Sequence, residues 1–288
     1  MSTFEITAGS MTFRGIEEGP SSGPLALLLH GFPDTQMTWR HLMGPLAEAG
    51  FHAVAPALRG YAPSDLAPDD NYQVGSLALD VIALHEAFGG GGDAVLVGHD
   101  WGAVVAYCAS AYSPETFSKM VTISVPPTSS VAESFLNYDQ LRLSWYMFFF
   151  QNDLADFVVG ADDLEFVARL WADWSPSYDA TEDMGFVREA IGDPDRLAAA
   201  LKYYRAMFQP NLQDPSLKEA QDALGLPTPI PTAYFHGSSD GCFRLESIGD
   251  PLTSFPEGSR VEIIEDAGHW LHLEKPDEVN AAILDFLT

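Results

Sequence analysis

Val95-Leu96-Val97-Gly98-His99-Asp100-Trp101-Gly102-Ala103-Val104-Val105-Ala106 reads as a strand, a sharp turn and a helix, with a carboxylate at the apex of the turn. Gly98 and Gly102 bracket that apex, as a strained strand-to-helix turn requires where it leaves no room for side chains. Such an elbow presents a nucleophile above the edge of a sheet, and serine is its usual occupant. Asp100 in that place is already charged near neutral pH, and the positive end of the following helix favours the ionised form. A carboxylate so placed suits attack on a saturated electrophilic carbon, leaving an alkyl ester on the protein. The pentapeptide alone is equally compatible with an Asp100 that merely caps the helix, a common role of Asp at such a junction.

The chain has 288 residues, 47% of them hydrophobic, enough to bury the core of one large α/β domain or of a domain with an insertion. Its N-terminus lacks the basic start and apolar run of a secretory signal, and no segment approaches about eighteen uncharged apolar residues. A soluble, cytoplasmic protein is expected. Forty-one acidic against fourteen basic residues give a net charge of −27, a field that repels nucleic acid and anionic membrane surfaces. Neither is expected as a partner. The acids are scattered over helix faces and loops, as a solvated surface requires, and do not form a tail. Cys108 lies in an apolar helical run, where a buried free thiol is commoner than a disulfide, so it and Cys242 are expected to be unpaired. The sequence leaves the oligomeric state open, a homo-oligomer included.

Short apolar runs at 25–29, 53–55, 94–97, 120–125, 232–235 and 261–264 read as strands, and amphipathic stretches at 37–49, 74–88, 101–112 and 277–286 read as helices. That alternation predicts an α/β fold with a mostly parallel sheet and helices on both faces. Between Pro126 and Pro231 the rhythm breaks into aromatic, acid-rich helical segments such as 163–174 and 195–208. The expected organisation is therefore a core of residues 1–126 and 228–288 with a helical cap or lid at 127–227. Gly89 to Gly92 reads as a flexible link between helix and strand.

Two more strand ends carry chemistry-bearing residues. Leu28-Leu29-His30 runs into Gly31-Phe32-Pro33-Asp34, a loop suited to supplying one backbone N–H of an oxyanion hole, with Trp101 after the nucleophile supplying the other. A proline turn after a strand is also an ordinary connection. Asp266-Ala267-Gly268-His269-Trp270-Leu271-His272 places His269 above a strand's carboxyl end, where ligands gather on open α/β sheets. His236-Gly237-Ser238-Ser239-Asp240 ends another strand, so nucleophile, acid and histidine follow in the order Asp100, Asp240, His269. Asp240 would orient the imidazole while the other ring nitrogen deprotonates a water. Glu246, Glu265 and Asp266 are the local rivals for the acid. Glu246 falls in or near the next helix, and the other two lie too close along the chain to face the imidazole.

These three sites together resemble the α/β-hydrolase superfamily from His30 to Leu287, and Gly98-His99-Asp100-Trp101-Gly102 resembles the elbow shared by epoxide hydrolases and haloalkane dehalogenases. With no serine at the apex, Ser-based esterase activity is disfavoured. Ser144-Trp145-Tyr146-Met147-Phe148-Phe149-Phe150-Gln151 resembles the epoxide hydrolase lid segment, in which a tyrosine lies four residues before a Phe-Gln pair. Ala200-Leu201-Lys202-Tyr203-Tyr204-Arg205-Ala206 resembles the second lid motif, whose functional tyrosine directly precedes an arginine. The resemblance thus implies Tyr146 and Tyr204 as the hydroxyls that protonate the opening epoxide, with Tyr203 the neighbouring rival. Without it, both tyrosines read as packing residues of an aromatic lid.

The expectation is an epoxide hydrolase that converts an apolar epoxide and water to a vicinal diol. Its catalytic residues would be Asp100, Asp240, His269, Tyr146 and Tyr204, with an oxyanion hole at Phe32 and Trp101 and no cofactor or metal. Haloalkane dehalogenase is the alternative. Phe32 stands where the second halide donor, an asparagine, is typical, and Trp171 or Trp174 is the available substitute. The defluorinating branch usually has arginine where Trp101 stands, a departure that counts against a carboxylate-bearing substrate. A ligand-binding protein without turnover is a third reading, against which the complete set of candidates argues.

Overall fold

The computed structural model describes residues 1–288. Eight strands, β1 (Ser2–Ala8), β2 (Met11–Glu18), β3 (Leu25–Leu29), β4 (His52–Pro56), β5 (Val95–His99), β6 (Lys119–Ile123), β7 (Thr232–Gly237) and β8 (Arg260–Ile264), form one sheet. Their order across it is β1-β2-β4-β3-β5-β6-β7-β8. β1 and β2 form an antiparallel hairpin that joins β4 antiparallel, and every other pairing is parallel. The sheet is thus mostly parallel, and its antiparallel edge adds two strands to the six predicted.

Helices α1 (Arg40–Glu48), α2 (Val74–Ala87) and α3 (Trp101–Tyr112) alternate with the strands up to β6. No strand occurs between β6 and β7. That stretch holds α4 (Thr128–Ser134), α5 (Tyr138–Leu143), α6 (Trp145–Phe149), α7 (Leu154–Gly160), α8 (Glu165–Trp174), α9 (Thr181–Ile191), α10 (Pro194–Phe208) and α11 (Lys218–Asp222). After β8 come α12 (Leu271–Glu274) and α13 (Pro276–Leu287). Two helices begin later than their periodicity predicts. Thr35 accepts the N–H of Met37 and starts a 3-10 turn at 36–39 before α1, and Asp163 and Leu164, both at positive φ, break the chain just before α8. No helix is long and apolar enough to cross a membrane.

The period of two along a strand sorts the core into two layers. Leu25, Leu27 and Leu29 face one cluster with α2 and α3, while Ala26 and Leu28 face the other with α1 and α13. The first cluster continues without a break into the helical stretch through residues such as Val159, Val167, Val187 and Leu201. Cys108 and Cys242 are both free and buried.

The elbow sits on β5, near the middle of the sheet. A Cβ on Gly102 would overlap the carbonyl oxygens of Leu29 and His30, whereas one on Gly44, in α1, would meet open space. Gly102→Ala is therefore expected to destabilise the fold by about 2–3 kcal/mol and lower Tm by roughly 5–10 °C. Gly44→Ala should be neutral or stabilising by up to about 1 kcal/mol, and thermal unfolding of the two variants checks the contrast.

Candidate active site

Asp100 lies between β5 and α3 with φ +51 and ψ −119, and its side chain makes no capping hydrogen bond. The carboxylate points instead across the carboxyl edge of the sheet, where Oδ1 accepts the N–H of Phe32 at 2.7 Å. Trp101 is the first residue of α3, so its N–H has no acceptor in the helix ladder. Gly31 makes this approach possible, because a Cβ there would overlap the Asp100 side chain. His30 holds the loop in place. The Leu58 N–H donates to its Nε2 at 3.0 Å, which leaves the proton on Nδ1 to donate to the Gly31 carbonyl at 2.9 Å. Burial lowers the pKa of His30 to about 4, so the ring stays neutral in this role.

His269 approaches Asp100 from the other side. Its Nε2 stands 3.5 Å from Asp100 Oδ2, an ion-pair distance and not a formed hydrogen bond, while Nδ1 pairs with Asp240 Oδ2 at 3.0 Å. The second oxygen of Asp240 is occupied as well, accepting the N–H groups of Cys242 and Phe243 at 2.7 and 3.0 Å. Its backbone is tied too: Trp174 accepts the His269 N–H at 3.0 Å, and the His269 carbonyl accepts from Ser124 Oγ at 2.6 Å and lies 3.0 Å from His99 Nε2. Burial favours the neutral imidazole. The charges of Asp240 and Asp100, with the Asp240 hydrogen bond, outweigh it and push the pKa up to about 10. Glu246 pairs with Arg244, and neither Glu265 nor Asp266 contacts the imidazole.

Tyr146 and Tyr204, from the helices between β6 and β7, meet over this edge, with rings 5.8 Å apart. Tyr204 packs edge-on against both Phe32 and Trp101, at 5.3 and 5.0 Å, and its hydroxyl has no hydrogen-bond partner. Tyr203, its neighbour, donates to the Arg59 carbonyl at 2.8 Å and is thereby committed to packing. Tyr146 Oη lies 3.4 Å from Cys242 Sγ. Burial, reinforced by surrounding charge that includes Asp100, raises both hydroxyls well above the usual phenol pKa, so both remain protonated. The flanking motif residues serve as braces. Gln151 donates to the carbonyls of Met147 and Tyr204 at 2.9 and 3.2 Å, and Arg205 to that of Phe150 at 2.9 Å, tying α6 to α10.

Trp171 donates its indole N–H to the Pro33 carbonyl at 2.8 Å and stacks on Trp270 with centroids 3.4 Å apart. It is therefore not free to serve a halide. Trp174 packs against His269, Tyr146 and Trp270. Beneath the site the fold also gathers Asp34, His99 and His272, with candidate ligand atoms within 4.8 Å of one another. Sequence spacing gave no sign of this grouping, because its members come from three separate parts of the chain: the loop after β3, the end of β5 and α12. Burial and the nearby Asp183 raise the Asp34 pKa to about 7, while Trp270 Nε1 donates to Asp34 Oδ2 at 2.9 Å.

A family model described as alpha/beta hydrolase fold matches residues 24–276. The AB hydrolase superfamily protein YfhM of Bacillus subtilis is 29% identical over 286 residues, covering 98% of this chain and 96% of that one. Epoxide hydrolase A of Mycobacterium tuberculosis is 28% identical over 312 residues, with 98% and 96% covered. The crystal structure of Bacillus megaterium epoxide hydrolase in complex with an inhibitor matches with a TM-score of 0.81 at 27% identity, covering 99% of each chain.

Because the His269 pKa is raised above the unfolded value of about 6.5, its ion pairs contribute stability that is fully present below that pH and lost as pH rises through about 10. The difference in urea-unfolding free energy between the parent and His269→Gln should therefore shrink from pH 6 to pH 10. In Asp100→Asn the imidazole should titrate at lower pH than in the parent, as read from its ring nitrogen NMR shifts.

Proposed function

The chain belongs to the α/β-hydrolase fold family, and we propose that within it the protein is an epoxide hydrolase working through an ester on Asp100. The observation that carries this reading is the unequal setting of the two Asp100 oxygens. Oδ1 already rests on the Phe32 N–H, and Oδ2 faces His269. One oxygen is thus placed to become an ester carbonyl and the other to attack. The names and full-length coverage of the relatives support the same reading.

In the first step Oδ2 attacks an epoxide carbon from the rear, the C–O bond breaks, and the departing oxygen takes a proton from Tyr146 or Tyr204. Esterification removes the Asp100 charge that helps hold His269 protonated. The imidazole then sheds a proton, which resets the phenolate, and becomes a base only once there is an ester to hydrolyse. In the second step His269, oriented by Asp240, takes a proton from water as the hydroxide adds to the Asp100 carboxyl carbon. The oxyanion forms on Oδ1, facing the N–H groups of Phe32 and Trp101. Collapse releases the diol, which takes the proton from His269, and the new carboxyl group returns a proton to the imidazole. Epoxide and water are consumed, and no metal or cofactor enters the scheme.

The helical segment 127–227 acts in this reading as a lid over the core formed by 1–126 and 228–288. Trp174, Phe150, Phe32 and Trp101 surround the reacting groups with apolar surface, which suits an apolar epoxide. Asp100 and both tyrosines are almost fully buried, so substrate enters through displacement of lid helices. A dehalogenase would need a second halide donor beside Trp101, and Trp171 is already engaged.

Diol formation from styrene-type and aliphatic epoxides tests the activity, and halide release from haloalkanes without diol formation would overturn it. Mass spectrometry of His269→Gln after exposure to a turned-over epoxide should reveal an adduct on the Asp100 peptide, absent in Asp100→Ala. No adduct in either variant defeats the two-step scheme. Tyr146→Phe combined with Tyr204→Phe should slow ring opening by at least about a hundredfold, and undiminished rates would return both tyrosines to packing.

A further inference from the structure

Gln140, in α5, has no sequence motif to mark it, yet its side chain is completely buried between the helical segment and the loop that bears Asp240. All three of its hydrogen bonds are directed. Nε2 donates to the Cys242 carbonyl at 2.8 Å and to Ser144 Oγ at 3.0 Å, and Oε1 accepts the Arg244 N–H at 2.9 Å. Ser144 is the joint at which α5 ends and α6 begins, and Tyr146 follows two residues later. On the core side the gripped residues are equally close to the chemistry. Cys242 donates its N–H to Asp240 Oδ1 and brings its Sγ to 3.4 Å from Tyr146 Oη.

One amide therefore joins the hinge before a lid tyrosine to the turn after the core's buried acid. We propose that Gln140 is a positioning residue for epoxide opening: it fixes the register of Tyr146 over Asp100 by locking the Ser144 joint to the 242–244 backbone. The inference rests on the epoxide hydrolase reading. It also predicts a division of labour. Asp240 keeps its own turn through the Cys242 and Phe243 N–H groups, so loss of Gln140 leaves the Asp240–His269 pair in place and disturbs only the Tyr146 proton donor.

The test uses the full chain with Gln140→Met, which preserves bulk and removes all three hydrogen bonds. Rapid-quench mass spectrometry of the Asp100 peptide separates ester formation from ester breakdown. Ester formation should slow by about tenfold or more, while breakdown stays within about twofold. In a Tyr146→Phe background the same substitution should have little further effect, since residues acting through one another are not additive. Equal slowing of both steps, or a full tenfold loss in that background, overturns the proposal. Should Gln140→Met fail to fold, Ser144→Ala removes one contact alone and should slow ester formation by about threefold, again only when Tyr146 is present; an unchanged rate overturns the proposal equally. A parent that yields no diol defeats the functional reading itself, whereas a parent that forms the ester with multiplicative variant effects defeats only the role of Gln140.

Discussion

The contact between the Asp100 carboxylate and the backbone of the Gly31-Phe32 loop sets the geometry of everything around it. For Oδ1 to reach the Phe32 N–H at 2.7 Å, the chain must turn from β5 into α3 through a positive φ, and Gly31 must present bare backbone. Gly98 and Gly102 are needed for the same closeness, one against α3 and the other against the end of β3. Neighbouring parallel strands supply these pieces in register, with Leu29 opposite Gly98. His269 and Asp240 then arrive from the loops after β8 and β7, at the same carboxyl edge.

The electrostatics of the site run against the rest of the molecule. A surface carrying most of a −27 charge surrounds a buried group of two carboxylates and one imidazole, each held by a named donor or counter-charge. The same burial that would neutralise a lone histidine is overcome for His269 and left unopposed by any carboxylate partner for His30. Position within a few ångströms, not residue type, decides which histidine can take part in proton transfer.

Much of this was legible in the chain because the elbow is local. Five consecutive residues with two obligatory glycines announce the turn, and the order Asp100, Asp240, His269 follows from strand ends that apolar runs already mark. Whether Asp100 caps the helix could not be read from the chain, since nucleophile and cap demand the same residue at the same place; its side chain makes no capping hydrogen bond. Tyr204 could be separated from Tyr203 only by resemblance, because adjacent residues on a helix differ in direction and not in pattern; the Arg59 carbonyl that occupies Tyr203 is 144 residues away. Gln140 and the Asp34, His99 and His272 group left no trace for a similar reason. Gln140 bonds residues 102 and 104 positions away, and Asp34, His99 and His272 come from well-separated stretches of chain, beyond any periodicity. The N-terminal hairpin went unread because β1 is an edge strand with one exposed face, so it carries no continuous apolar run.

The unbroken apolar cluster that runs from the sheet face into the helices between β6 and β7 has a consequence for engineering. Those helices have no separate nucleus of their own; their inner side chains and those of α2 and α3 are one packed body. A chimera that swaps the segment from a relative would have to bring a matching set of contacts from the host's sheet-facing helices, or suffer voids at the seam. Evolution of new substrate preference is by the same logic confined to small, compensated changes among residues that already interlock.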